Sequence, residues 1–125
     1  MDRYDCNGCF DFDIDGETTA LTDGLLVLRH LFGFEGTTLT SGALATSATR
    51  SDADTVTSYL DTNEGHVDID GNGSTEALTD GLLLLRYLFG FDGATLIEGA
   101  VGDGATRITA DEINTYIDAR IATGV

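Results

Sequence analysis

The chain of 125 residues is long enough for one compact domain or two small units that share a core. Its 22 acidic residues, against six Arg and no Lys, give a formal net charge of −16 at pH 7. Such a surface repels nucleic-acid phosphates and anionic lipids, and no apolar run approaches the roughly 20 residues that span a bilayer. We therefore expect no nucleic-acid partner and no membrane insertion. Bound cations or a saline medium would offset the self-repulsion.

Residues 1–10 are interpreted as an N-terminal segment that contains the motif Cys6-Asn-Gly-Cys9. A redox motif would normally open a helix beside a strand, and haem attachment would need His where Phe10 stands. A zinc site would need two further ligands. The favoured interpretation is a short local disulfide or a pair of free thiols. The segment also lacks the basic and apolar regions of a signal peptide.

The remaining sequence is a tandem duplication, because a shift of 57 residues, as from Asp11 to Asp68, aligns the chain with itself without a gap. More than half of the aligned positions in the first unit are identical to their partners. The predicted domains are repeat 1 at 11–62, a connector at 63–67 and repeat 2 at 68–125. Each repeat starts with an acidic loop and continues with helical patterns.

Apolar residues at helical spacing predict a first helix in each repeat. These helices are Thr22–Phe32 and Thr79–Phe89. Gly33 and Gly90 stand where a left-handed helix cap is expected. The phenylalanines that follow, Phe34 and Phe91, are expected to pack back onto the core across the glycine. The alternative is that they form an exposed docking patch.

The second half of each repeat predicts two more helices. Short helices are expected at Leu39–Leu44 and Leu96–Val101, and closing helices at Asp52–Leu60 and Ala110–Ile121. Thr109 and Glu112 have the spacing of a capping box, in which the two side chains satisfy free backbone amides reciprocally. Strand signals are nearly absent. The predicted fold is all-α, with two loop–helix units that each carry an additional helix and pack around a shared core.

The acidic loops alternate oxygen-bearing side chains, as a calcium site requires. The predicted ligands of repeat 1 are Asp11, Asp13, Asp15, Glu17 and Asp23. Those of repeat 2 are Asp68, Asp70, Asn72, Ser74 and Asp80. A glycine at the sixth position allows the sharp bend, and the seventh residue would contribute its carbonyl. We expect two Ca²⁺ ions, one per repeat, and disfavour Mg²⁺, which keeps its waters. Turn-forming residues on a solvated surface are the other interpretation, which two copies in register make improbable.

The pattern DxDxDG followed by D-G-L-L-x-L-R-x-L resembles the duplicated F-hand motif of dockerin domains, over roughly residues 11–34 and 68–91. The resemblance implies an EF-hand-type fold and docking onto cohesin domains in bacterial or archaeal extracellular assemblies. Three features depart from it. The last acidic ligand is the thirteenth loop residue instead of the twelfth, which predicts a bulged loop or a ligand role for Thr19 or Glu76 through water. The repeats are longer, and Leu-Thr pairs occupy the recognition positions.

The predicted function is a non-catalytic, extracellular calcium-binding module. It would act as a structural or assembly element of a larger secreted or surface protein, with a protein partner or a second copy. The alternative is a dockerin-like module that docks to a cohesin-type partner. Catalysis is disfavoured, because the clustered acids are committed to calcium and His30 and His66 do not recur between the repeats. An extracellular or cell-surface location, in a prokaryote from a saline or marine setting, fits weak calcium sites and the acidic surface.

Overall fold

The computed structural model describes residues 10, 12, 19–44 and 52–121, and within these ranges it contains helices and no strands. The helices in chain order are α1 (Leu25–Leu31), α2 (Thr37–Thr40), α3 (Ala53–Thr62), α4 (Glu64–Val67), α5 (Leu82–Leu88), α6 (Gly93–Ile97) and α7 (Ala110–Asp118). Single turns of π-helix, Ala20–Gly24 and Ala77–Gly81, lead directly into α1 and α5. The all-α prediction is confirmed for the described residues. None of their helices is long and apolar enough to cross a membrane.

Helices α1 and α5 pack against each other at two glycines. A Cβ atom on Gly24 would lie 3.0 Å from Leu85 Cδ1, and one on Gly81 would lie 2.9 Å from Leu28 Cδ1. Each helix therefore lies against the turn that precedes the other, which makes the pair antiparallel. The absence of a side chain at both positions lets the two backbones approach closely. This contact holds the two π-helical turns, and the acidic residues on them, on a shared scaffold.

The core lies beneath this helix pair and is closed by α3 and α7. Its fully buried residues come from all the longer helices: Leu26, Val27, Val56, Leu60, Leu83, Leu84, Ile113 and Ile117. Phe10 and Phe12 are also buried, with their rings stacked at 5.7 Å. The Phe10 amide donates to the Arg120 carbonyl, which ties the start of the described chain to its end. Burial of these side chains from both halves supports the expectation of a shared core.

The helix ends agree with the sequence in their caps and differ in their bounds. Gly33 and Gly90 have φ of +92° and +93°, as expected for left-handed caps. The Thr109–Glu112 capping box is present at the start of α7. The first helical segments start earlier than predicted, because the π-helical turns begin at Ala20 and Ala77, two residues before Thr22 and Thr79. The short helices α2 and α6 also start earlier than predicted. Helix α2 follows Gly36, which has a positive φ, and α6 follows Asp92, which is extended.

The prediction that Phe34 and Phe91 pack into the core was wrong. Their side chains are 45% and 46% exposed, and those of Phe32 and Phe89 are each 54% exposed. The glycine cap explains this outcome. The backbone amide of Phe34 donates to the Arg29 carbonyl at 2.9 Å, and this closed turn leaves the aromatic side chain at the surface.

Two arginines close the short helices. Arg29 Nη1 donates to the Leu39 and Ser41 carbonyls at 3.1 and 2.7 Å, and Arg86 Nη1 donates to the Leu96 and Glu98 carbonyls at 3.2 and 2.8 Å. These carbonyls lie at the C-terminal ends of α2 and α6, where the helix has no amide to offer. Both arginines therefore satisfy backbone carbonyls at helix C-terminal ends.

Candidate metal centre

Three carboxylates of the second acidic loop meet at one point. Oxygen atoms of Asp68, Asp70 and Asp80 all lie within 4.8 Å of one another. Asp70 and Asp80 are fully buried, and Asp68 is partly buried. Carboxylates at this separation repel one another in a buried setting unless a cation or a proton intervenes. These three oxygens could therefore form one side of the coordination shell of a metal ion.

Asp80 joins the two ends of the loop. Its Oδ1 accepts from the amides of Ile69 and Asp70 at 2.6 and 3.2 Å, and its Oδ2 accepts from the amide of Glu76 at 2.9 Å. The Thr79 hydroxyl donates to the same Oδ2 at 3.3 Å. A carboxylate oxygen has more than one lone pair, so these bonds leave room for a further positive partner. The loop is thus closed around the carboxylate that begins the following helix.

The π-helical turn explains why this carboxylate is the thirteenth loop residue. The Gly81 amide donates to the Glu76 carbonyl, five residues back, at 3.2 Å. Such a turn holds one more residue than an α-helical turn and is frequent at functional sites. The extra residue lies in the π-helical turn Ala77–Gly81, which overlaps the end of the loop and leads into α5. Glu76 contacts Asp80 through its backbone amide.

Asp70 lies at the back of the cluster. Its Oδ2 accepts from the Gly102 amide at 2.7 Å. Its Oδ1 is buried and has no hydrogen-bond partner among the described residues. A buried acceptor without a partner costs free energy, and most such atoms in proteins are paired. A positively charged ligand bound to Asp70 Oδ1 would remove this cost.

Three further predicted ligands of the second loop, Asp68, Asn72 and Ser74, follow one another along the chain. Asp68 accepts from the amides of Asn72 and Gly73 at 3.2 and 2.9 Å, which folds the loop around its carboxylate. Asn72 Oδ1 accepts from the Ser74 amide at 2.9 Å. Ser74, whose backbone carbonyl is the predicted ligand, is exposed. The structure therefore brings three of the five predicted residues together and places Asn72 along the loop that leads from them.

In the first loop only the last predicted ligand is described. Asp11, Asp13, Asp15 and Glu17 lie outside the described residues. Asp23 is fully buried and repeats the bonds of Asp80: its Oδ1 accepts from the Phe12 amide at 2.6 Å and its Oδ2 from the Thr19 amide at 2.9 Å. The Gly24 amide donates to the Thr19 carbonyl, which gives the same π-helical turn. Thr19 thus contacts Asp23 through its backbone, as Glu76 contacts Asp80.

The electrostatic environment of the cluster affects the pKa of Asp80. Burial, helped by the nearby charge of Asp70, raises the pKa of this carboxyl to about 6, although amide hydrogen bonds from Glu76, Asp70 and Ile69 act against the increase. Removal from water disfavours the charged form, as does a like charge nearby. The cluster consequently holds a proton more firmly than a surface carboxylate does, and a divalent cation would displace that proton.

Sequence reasoning missed the segment at 102–107, which lies against the loop. Gly102 donates to the Asp70 side chain, and the amides of Thr106 and Arg107 both donate to the Asp70 carbonyl, at 2.9 and 3.0 Å. The sequence does carry one signal of this contact. Ala-Thr-Arg recurs at 48–50 and 105–107, within a stretch where the two repeats otherwise differ.

The chain matches no protein-family model, no characterised protein and no solved structure. The chemistry of the cluster itself therefore has to indicate the ligand. Its donors are carboxylate oxygens, and it includes neither sulfur nor imidazole. Such a set suits hard cations and does not suit zinc or copper.

Proposed function

We propose that the protein is a non-catalytic calcium-binding module in which each acidic loop holds one Ca²⁺ ion. The unpartnered, buried Asp70 Oδ1 within the Asp68–Asp70–Asp80 cluster carries this proposal. Ca²⁺ accepts six to eight oxygens in variable geometry, so carboxylates, Asn72 and backbone carbonyls can complete its shell. Mg²⁺ needs near-ideal octahedral geometry and retains its waters. The dockerin-like, EF-hand-type arrangement inferred from the sequence belongs to the same proposal.

Titration calorimetry with Ca²⁺ tests this proposal directly. We expect uptake of one ion per loop in a metal-free preparation, with much weaker binding of Mg²⁺. Absence of calcium uptake would contradict the function, and uptake of a single ion would restrict it to one loop. A chelator titration that reverses the signal would show that binding is specific and not a consequence of the acidic surface.

Calcium affinity should depend on pH around the raised pKa of Asp80. Without metal, the folded state holds a proton on Asp80 up to about pH 6, whereas the unfolded chain releases it near 3.8. Asp80 therefore makes the metal-free protein less stable as pH rises through that window. Ca²⁺ must displace the proton, so its affinity should weaken as pH falls below about 6. Calorimetry in buffers on both sides of pH 6 measures this, and a pH-independent affinity would contradict it.

A catalytic role is not proposed, because the histidine that lies beside a carboxylate in the described part of the chain has a structural counterpart. His30 Nε2 lies 3.3 Å from Asp61 Oδ1 in a cleft of about 430 Å³. At the positions 57 residues later, Tyr87 donates a hydrogen bond to Asp118. A tyrosine in the same place makes the same link between helices, which favours a packing role for His30.

We further propose that the module assembles with another protein through exposed apolar side chains. The side chains of Leu21 and Leu78 are 61% and 62% exposed, and those of Phe32 and Phe89 are each 54% exposed. Large apolar residues exposed at matching positions of both halves are unusual for an isolated acidic protein, and such patches commonly mark interaction sites. The structural role in a secreted or surface protein remains the leading proposal, and docking to a cohesin-type partner is the alternative.

Sedimentation velocity with Ca²⁺ and moderate salt distinguishes these roles. We expect a calcium-dependent oligomer that is weakened by the paired change Phe32→Ser and Phe89→Ser, since burial of each ring contributes about 2 kcal/mol. Ile108→Ser is a matched control, because Ile108 is 57% exposed and has no exposed apolar counterpart among the described residues. A strict monomer would contradict self-assembly and favour docking to a separate partner.

A further inference from the structure

The segment at 102–107 covers the back of the second acidic loop. Each backbone carbonyl from residue 68 to residue 71 accepts a hydrogen bond from it. Arg107 Nη2 and Nε donate to the Asp68 and Ile69 carbonyls at 2.7 and 2.6 Å. The amides of Thr106 and Arg107 donate to the Asp70 carbonyl, and the Thr106 hydroxyl donates to that of Gly71 at 3.0 Å. These four carbonyls therefore all have hydrogen-bond donors from one segment of the chain.

We infer that Arg107 is a positioning residue that fixes the second loop in its ion-binding shape before the ion arrives, and so sets its calcium affinity. The inference rests on the proposed function. The same segment fixes the side chain of Asp70, since the Gly102 amide holds Oδ2, and the other oxygen, Oδ1, is the buried one without a hydrogen-bond partner. A preformed site loses less conformational entropy on binding than a loop that must be ordered by its ion.

The charge of Arg107 makes this role distinguishable from simple electrostatics. A guanidinium close to the cluster repels a divalent cation, so its charge alone would weaken binding. The hydrogen-bonding geometry of Arg107 has the opposite effect on calcium affinity, because it holds the loop in shape. The planar group bridges two consecutive carbonyls, and it also lies over the ring of Tyr116, whose centroid is 3.8 Å from Arg107 Cζ. Tyr116 also stacks on Arg120 and donates to the His66 carbonyl, which anchors Arg107 to the connector.

The contact between loop and segment is too close for side chains at two glycines. A Cβ on Gly102 would lie 2.5 Å from Asn72 Nδ2 and 3.1 Å from Asp70 Oδ2. Gly71 has φ of +69°, and a Cβ there would meet the Thr106 hydroxyl. In the sequence of repeat 1 the corresponding positions carry Ala45 and Ile14. Substitution of these repeat-1 residues into repeat 2 is therefore a natural second test of the contact.

The decisive experiment compares Arg107→Met and Arg107→Lys in full-length protein that also carries Asp13→Ala, so that only the second loop is measured. We expect both variants to bind Ca²⁺ about 10-fold or more weakly, the usual cost of losing a group that orients metal ligands. Electrostatics alone predicts tighter binding for Arg107→Met and no change for Arg107→Lys. Arg86→Met is the matched control, because Arg86 on α5 also bridges backbone carbonyls, but these lie at the end of α6 and not in the loop.

Terbium luminescence gives a readout that a general loss of stability would not change. Its lifetimes in H₂O and D₂O count the waters on the bound ion, and Gly102→Ala should raise that count by about one, since a displaced Asp70 leaves a ligand position to water. Unchanged affinity in both Arg107 variants, with calcium still bound by the parent protein, would overturn this inference alone. Failure of the parent protein to bind calcium would overturn the proposed function and this inference together.

Discussion

Asp70→Asn is expected to abolish calcium binding at the second loop while leaving the metal-free protein at least as stable. The amide oxygen of Asn can accept from the Gly102 amide as Oδ2 does now. The amide nitrogen then takes the place of Oδ1, where it can donate to the neighbouring carboxylates but cannot bind a cation. The change also removes one of three clustered charges. We expect affinity to fall by on the order of 100-fold or more.

Calorimetry measures the loss of affinity, and a thermal melt in excess chelator measures the stability of the metal-free fold. Asp111→Asn is the matched control, since Asp111 is exposed on α7 and makes the same change in net charge outside the cluster. Two results would contradict the prediction. One is calcium uptake by Asp70→Asn equal to that of the control. The other is a marked loss of melting temperature in chelator, which would show that the Asp70 carboxylate stabilises the fold without any metal.

The sequence was sufficient for the local features of this protein. Apolar spacing located the helices that became α1 and α5, because such a stripe can be buried only on a helix. Capping followed from Gly33, Gly90 and the Thr109–Glu112 pair, whose roles depend on neighbouring residues alone. The alternation of acids likewise selected Asp68, Asp70 and Asp80 as a group that converges. Each of these predictions needs only the geometry of one turn or one helix.

Features that depend on distant contacts were not predictable. The Gly102 amide is a donor that any residue could supply, so nothing local indicates that it meets Asp70, 32 residues away. The π-helical turn at Ala77–Gly81 is stabilised by the amides that reach the Asp80 carboxylate, and it has no sequence signature of its own. Exposure of Phe34 and Phe91 depends on whether another element covers the glycine turn. A pattern of apolar residues cannot decide that point.

Calcium is expected to raise the melting temperature of the parent protein by about 10 °C or more. A ligand that binds only the folded state stabilises it by about 2.7 kcal/mol per site at a free concentration 100 times its Kd. For a chain of this length each kcal/mol corresponds to about 3–5 °C. The physical origin lies in the buried carboxylates, whose mutual repulsion the ion replaces by attraction, and in Asp70 Oδ1, which gains a partner.

General screening of the net charge of −16 would also stabilise the fold, so the melts must separate it from site binding. Added NaCl of equal ionic strength supplies the screening alone, and Mg²⁺ supplies a divalent charge that the loops should hold weakly. Only Ca²⁺ should give the full increase, and Asp70→Asn should lose the part that belongs to the second loop. Equal shifts with all three salts would assign the stabilisation to the acidic surface as a whole and would contradict a specific site.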